Sequence, residues 1–285
     1  MRAFDLQQFS RAQALAYDCV EYTTANLETG MTEKHVRALM RDWPNTHGVE
    51  DPFRDPFAWF GDLTAFKGGR AGHTFLPSNR RPAEGMTGIL DIAPIINGDA
   101  ADIGYCFVHG KNPGTQAVLD DMNRTLLDVR ELILEGIRAR RTFKSIYREV
   151  DSVIEAAGYI NQHKRYPHRV LGHRVGRHLS SPLNKVRWLG FGLLTYVSLM
   201  SRQWASKLVP GVVHSPLWND PRESDHRPVE GLWAVEPHVA LPDQSLGAKW
   251  EEILVIATDN AWWRASTETA AEVFASKSPD FVVCG

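Results

Sequence analysis

Over residues 5–28, apolar and aromatic side chains recur at helical spacing and the run stops at Thr29-Gly30, which predicts a helix with a glycine stop. Thr32 opens TEKHVRALMRDW and reads as the N-cap of a second helix. From Pro44 to Gly72 the pattern breaks into Pro, Gly, Asp and aromatics, the composition of loops with short strands. Two strand-like runs follow, GILDIAPII and ADIGYCFVHG, and Asn97-Gly98-Asp99 between them signals a hairpin. The helical period returns over 114–140, with apolar positions at 118, 122, 126, 127, 129, 133 and 134. Thr142 opens a further helix closed by Gly158, and strand-like segments such as GLWAVEPHVAL and WEEILVIAT fill the last third before a short helical stretch near 266–276. Helices, hairpin, two helices and then strands make an α+β chain, with no internal repeat that sequence identity would establish.

The hairpin carries the first chemical anomaly. LDIAPIINGDAADIGYCF, residues 90–107, places Asp91 and Asp102 eleven residues apart in an apolar setting, with Asp99 beside the turn glycine as a turn residue. On paired strands the first two share a face, where unpaired carboxylates would repel and one would be driven to protonate. A divalent cation removes that conflict. Further groups of the same kind lie downstream: His173 and His178 in LGHRVGRHLSSP, Glu236 in EGLWAVEPHVA, and Glu251 with Glu252 in GAKWEEILVIAT. Singly these read as a core-edge histidine, a strand-end glutamate or a solvated pair. Together they form an ordered Asp, Asp, His, Glu, Glu set whose four carboxylates two divalent ions would neutralise. With no thiolate in the set, Mn, Co, Fe and Zn all fit.

Composition narrows the setting. The chain has 285 residues, 43% of them hydrophobic, enough for a large core. Its 32 basic and 34 acidic residues give a net charge of -2, with no broad field for nucleic acid or an anionic membrane. A peptide or small-molecule substrate is the better match. Cys19, Cys106 and Cys284 lie far apart with no CxxC pair, which points to the cytoplasm. The N-terminus is amphipathic rather than an apolar leader, and WLGFGLLTYVSLM at 188–200 falls short of the ~18 residues of a membrane span.

In order and context these motifs resemble the M24 metallopeptidase family, which includes methionine aminopeptidase, aminopeptidase P, prolidase and creatinase. The resemblance runs from about Arg11 to Thr258 and includes the GxTE-like start GMTEKHV at 30–36. It implies the pita-bread fold, a curved antiparallel sheet flanked by helices, as one catalytic domain over 1–285 with an insertion at about 184–228. It also implies Asp91, Asp102, His173, Glu236 and Glu251 as ligands of two divalent ions, Glu251 being preferred to Glu252 because Gly247-Ala248-Lys249-Trp250-Glu251 matches the family's G-x-[KR]-x-E approach. The implied reaction is cleavage of an amide bond near a free terminus by a metal-bridging hydroxide. Glu236 would shuttle the proton, while His73 and His178 hold the substrate.

Departures from the family pattern are visible too. Arg174 in GHRVG replaces a usual glycine and puts a bulky cation near the expected cleft; Ser180 stands at the spacing of the family's second histidine. The 63 residues from His173 to Glu236 hold an apolar stretch, 188–204, expected as a dimer contact or pocket wall. Two other functions remain open: a family relative acting on a non-peptide small molecule by C–N hydrolysis, elimination or iron-dependent redox chemistry, and an inactive binding module, which would have no physical need to keep buried acids.

Overall fold

Local chemistry sets the helix starts. The computed structural model describes residues 6–49, 54–68, 76–175, 183, 186–188, 191–209, 211–258 and 260–263; His73, His178 and the helix expected near 266–276 lie outside them. Helix α1 spans Leu6–Ala25 and α2 Glu33–Thr46. Thr32 caps α2 in a reciprocal box: its Oγ1 accepts from His35 N at 3.3 Å, and its own N–H donates to His35 Nδ1 at 3.4 Å. The loop expected from Pro44 is still helix for one more turn. Proline removes the amide that would bond Met40 O, and Cys19 Sγ of α1 donates to that carbonyl instead, at 3.6 Å.

Strand β1 (Arg54–Phe60) pairs antiparallel with β2 (Thr87–Ala93), and the short β3 (Ile95–Ile96) and β4 (Asp99–Ala100) continue to β5 (Ile103–Val108), which returns along β2. Asn97 and Gly98 both take positive φ, 51° and 84°, as a tight hairpin turn requires. Asp99 departs from its expected place in the turn: it is a buried strand residue paired with Ile96. Strand alternation splits this sheet. Ala58, Phe60, Leu90 and Tyr105 face Cys19, Val20, Val36 and Met40 of the two helices, whereas Phe57, Trp59 and Ile89 face inward to the main core.

The same plan then recurs. Helices α3 (Pro113–Arg138, capped by Asn112) and α4 (Phe143–Ala156, capped by Thr142) precede a second antiparallel sheet. Its strands, with the small ones between them, are β6 (Ile160–Asn161), β7 (Gly172–Val175), β8 (Arg187–Trp188), β9 (Phe191–Gly192), β10 (Leu217–Trp218), β11 (Gly231–Val235), β12 (His238–Ala240), β13 (Gly247–Lys249), β14 (Glu252–Ile256) and β15 (Ala261–Trp263). The second sheet runs β10-β7-β11-β14-β15; β13-β12-β6 form a third, and β9 and β8 extend the first beyond β1. Helix α5 (Leu193–Leu208) occupies the long interval before Glu236.

The two large sheets meet where Gly104 of β5 bridges Glu251. A Cβ on Gly104 would sit 3.1 Å from both Glu251 Cβ and Lys249 Cε, so glycine permits this approach.

Glu33 ties α2 to the first sheet. It is fully buried, and its carboxylate accepts from Phe60 N at 3.0 Å, Ser78 N at 2.9 Å and Ser78 Oγ at 2.6 Å. Glu33→Ala leaves the buried Phe60 amide and the half-buried Ser78 amide without their acceptor, and we expect it to lower unfolding free energy by about 2–4 kcal/mol in urea titration. A loss under about 0.5 kcal/mol, the usual size for an exposed site, would contradict that role.

Candidate metal centre

The seam between the sheets gathers the five residues expected as ligands. Asp91 lies on β2, Asp102 just before β5, His173 on β7, Glu236 just after β11 and Glu251 between β13 and β14. Each is at least nine-tenths buried. Period-two alternation puts His173, opposite Ala234, on the same face as Ile253 and Glu251. It sends Arg174, opposite Trp233, to the other face, where its Nη2 donates to Glu230 O at 3.1 Å. The bulky cation expected near the cleft is therefore turned away from it. Glu252 also points elsewhere and pairs with Arg130 at 3.1 Å, leaving Glu251 as the inward residue.

Two basic side chains, both deeply buried, complete the cluster. Arg54 Nη2 bonds Asp91 Oδ1, reaches Asp102 Oδ1 at 2.7 Å and lies 3.5 Å from Glu251. Lys249 Nζ bonds Asp91 Oδ2 and lies 3.0 Å from Glu236 and 2.7 Å from Glu251. The count that called for two divalent ions omitted both. Lys249 shows a signal in sequence, because it stands two residues before Glu251 and so shares its face. Arg54 shows none: a bulge between Arg54 and Phe57 lets Arg54 pair with Ala93 while Phe57 pairs with Asp91, which brings two residues of opposite parity to one face.

The electrostatics divide the cluster. Burial works against the carboxylate of Asp91, yet Arg54 and Lys249 outweigh it and hold its pKa below the usual value. Burial likewise opposes the charge on Arg54 and on Lys249, and their acidic neighbours keep both protonated far above the ordinary range. Glu251 is pushed well up by burial and by Asp102, more than Lys249 relieves. His173 is driven down by burial and up by Asp102, whose Oδ2 lies 3.4 Å away, with a net rise.

The acids left with open oxygens are Asp102 and Glu251. With His173, their ligand atoms fall within 4.8 Å of one another, and Asp102 Oδ2 and both Glu251 oxygens accept no well-aligned hydrogen bond. Two hard carboxylate oxygens and an imidazole nitrogen fit a divalent transition ion.

Above the cluster opens a cavity of about 130 Å³. Arg54, Asp91, His173, Glu236 and Lys249 line its floor. Its walls are apolar, with Phe57 and Trp59 from β1 and Tyr196, Leu199 and Met200 from α5, so the helix in the long interval is a pocket wall. The outer side of α5 exposes Val197, Trp204 and Leu208. Among the described residues, no helix is long and apolar enough to cross a membrane.

A family model for metallopeptidase family M24 matches residues 7–258. The chain belongs to metallopeptidase family M24. An uncharacterised peptidase of Staphylococcus haemolyticus is 26% identical to this M24 chain over 172 residues, 60% of the chain and 45% of that protein. The M24 chain thus spans less than half of that relative's length. The X-Pro aminopeptidase from Thermotoga maritima shares its fold with a TM-score of 0.65 at 18% identity, over 91% of this chain and 60% of that one. For the prolidase from Pyrococcus furiosus the TM-score is 0.63 at 18% identity, over 91% and 63%. For methionine aminopeptidase from Rickettsia prowazekii it is 0.58 at 14%, over 91% and 96%. Helices against antiparallel sheets in this M24 chain have the expected α+β pita-bread fold. Membership of M24 supports a hydrolase that uses divalent metal.

Beside the M24 cluster, His238 donates from Nε2 to Thr64 O at 2.6 Å and accepts from Tyr166 OH at Nδ1, 2.9 Å. Burial and then the charge of Lys249 lower its pKa from 6.5 to about 3. The unfolded chain binds this proton below about pH 6.5 and the folded chain does not, so stability present at neutral pH is lost as pH falls toward 3. We expect urea midpoints to fall between about pH 7 and pH 4, and less steeply in His238→Gln. Equal slopes would show that His238 is not a source of the loss.

Proposed function

We propose that the chain hydrolyses an amide bond near a free peptide terminus, using divalent metal held at the seam. The observation that carries this reading is the buried Asp102, His173 and Glu251 cluster beside an apolar cavity floored by Glu236. When bound, such an ion polarises a carbonyl and makes water a nucleophile near neutral pH. Glu236 faces the cavity and is held by Lys249 at 3.0 Å, so its carboxylate is oriented to take a proton from water and return it to the leaving nitrogen. Phe57, Trp59, Leu199 and Met200 exclude bulk water and favour an apolar group beside the scissile bond. Arg54 and Lys249 place two cations among the acids of the floor, which suits a carbonyl oxygen gaining negative charge. In this reading His73 and His178 keep the substrate-holding role implied by the resemblance. The names X-Pro aminopeptidase and prolidase, borne by proteins of the same fold, support a peptide substrate.

The test is a panel of dipeptides, Xaa-Pro peptides and Met-peptides with apolar or charged neighbours, assayed with Mn and Co. Turnover is expected only in metal-loaded protein, with apolar neighbours preferred. Glu236→Gln is expected to lower kcat by about 10²–10⁴ with little change in KM. Metal-loaded protein that cleaves no peptide in the panel would overturn the proposal in favour of a non-peptide C–N substrate.

A further inference from the structure

We propose that the outer side of α5 and the loop that follows it form a docking face for an anionic lipid surface. The inference is independent of the hydrolytic reading above.

Charge makes the first case. The even balance of the whole chain conceals a strong segregation: nine of its 32 Lys and Arg, and none of its 34 Asp and Glu, lie in residues 156–219. Helix α5 belongs to this stretch, and its Arg202 and Lys207 are both exposed. A field of one sign held over such a length attracts an anionic partner. It also works against a second copy of this chain on the same face. Laying α5 on α5 would bring Arg202 and Lys207 against their own kind, with no acid on either helix to relieve them.

Exposed apolar surface makes the second case. Of the eleven large apolar side chains exposed among the described residues, eight fall between 183 and 212. On α5, Leu194, Val197, Trp204 and Leu208 follow helical spacing and share one side. Trp204, Leu208 and Val212 are 64%, 78% and 80% exposed, so they project rather than line a groove. The apolar area runs past the end of the helix to Val212, and at its other end it reaches Val186, whose carbonyl accepts from Leu193 N at 2.9 Å. A protein groove that binds a helix takes a single stripe. An area wider than a stripe, projecting and flanked by cations, matches instead the boundary between lipid headgroups and acyl chains. Lys207 Nζ lies 5.5 Å from the centroid of the Trp204 ring. In that arrangement the aliphatic side chains sink, the indole sits at headgroup depth and the ammonium reaches the phosphates. Acids return at Glu223 and Asp225, which with Lys207, His214 and Arg222 line a polar cavity of about 510 Å³ at the border of the face.

The test uses the full chain and vesicles of phosphatidylcholine with or without phosphatidylglycerol, read by co-sedimentation. Binding is expected to be about tenfold tighter, or more, when phosphatidylglycerol is present, and to weaken as salt is raised. Lys207→Gln is expected to weaken it about fivefold. Trp204→Ser combined with Leu208→Ser is expected to weaken it about tenfold or more, with circular dichroism and thermal midpoint unchanged. Leu127→Ser, at an exposed apolar position on α3, is the control and leaves binding as it was. No binding to phosphatidylglycerol vesicles would overturn the proposal, as would binding indifferent to salt and phosphatidylglycerol, or undiminished binding by the folded double variant. A dimer in sedimentation velocity that takes up no vesicles and is dissociated by the double variant would assign the face to a second copy instead. Lys207→Gln decides the matter if the double variant does not fold: undiminished binding by that variant would overturn the assignment to this face.

Discussion

Four carboxylates buried within reach of one another form the constraint around which this chain is organised. No such group tolerates a dry interior alone, and these four come from distant parts of the sequence: a hairpin, the end of a central strand and the junction of two others. They gain cationic partners only when the two sheets meet, because Arg54 belongs to the first sheet, Lys249 to the small third one, and both reach acids on either side. The close approach at Gly104 makes this meeting possible. The cluster is therefore a joint between the halves of the fold as well as a site, and neither half has it by itself.

Such a joint is a poor source of net stability. Desolvating several charges cancels most of their attraction, while removing one partner from a buried pair costs about 3–5 kcal/mol, because the other charge is left uncompensated. Stability comes instead from apolar layers: α1 and α2 against the outer face of the first sheet, and α3 and α4 with the inward-facing side chains. The charged seam is held within a scaffold that does not need it for cohesion, which is the usual relation between a rigid frame and a preorganised site.

Much of this was legible in the chain. Asp91 and Asp102 stood out because acids in an apolar hairpin lack an ordinary explanation, and helix starts at Thr32 and Thr142 followed from cap chemistry. What escaped did so where local periodicity was broken or overridden by contacts distant in sequence. A bulge reversed the face of Arg54, so alternation could not place it beside Asp91. Arg174 looked close to the cleft through its neighbour His173, yet adjacent strand residues face opposite ways. Pro44 looked like a helix breaker until Cys19, distant in sequence, took the orphaned carbonyl. Asp99 was read from its glycine neighbour as a turn residue, although the pairing of Ile96 draws it into a buried strand.

Lys249 differs from any ion in one respect: it is covalently part of the chain. Its contacts with Asp91, Glu236 and Glu251 are made from the protein's own stock of charge as soon as the chain folds. A chelator or a metal-poor surrounding strips a dissociable cofactor but leaves this ammonium in place. That part of the seam's compensation is thus independent of supply and belongs to the folded chain itself.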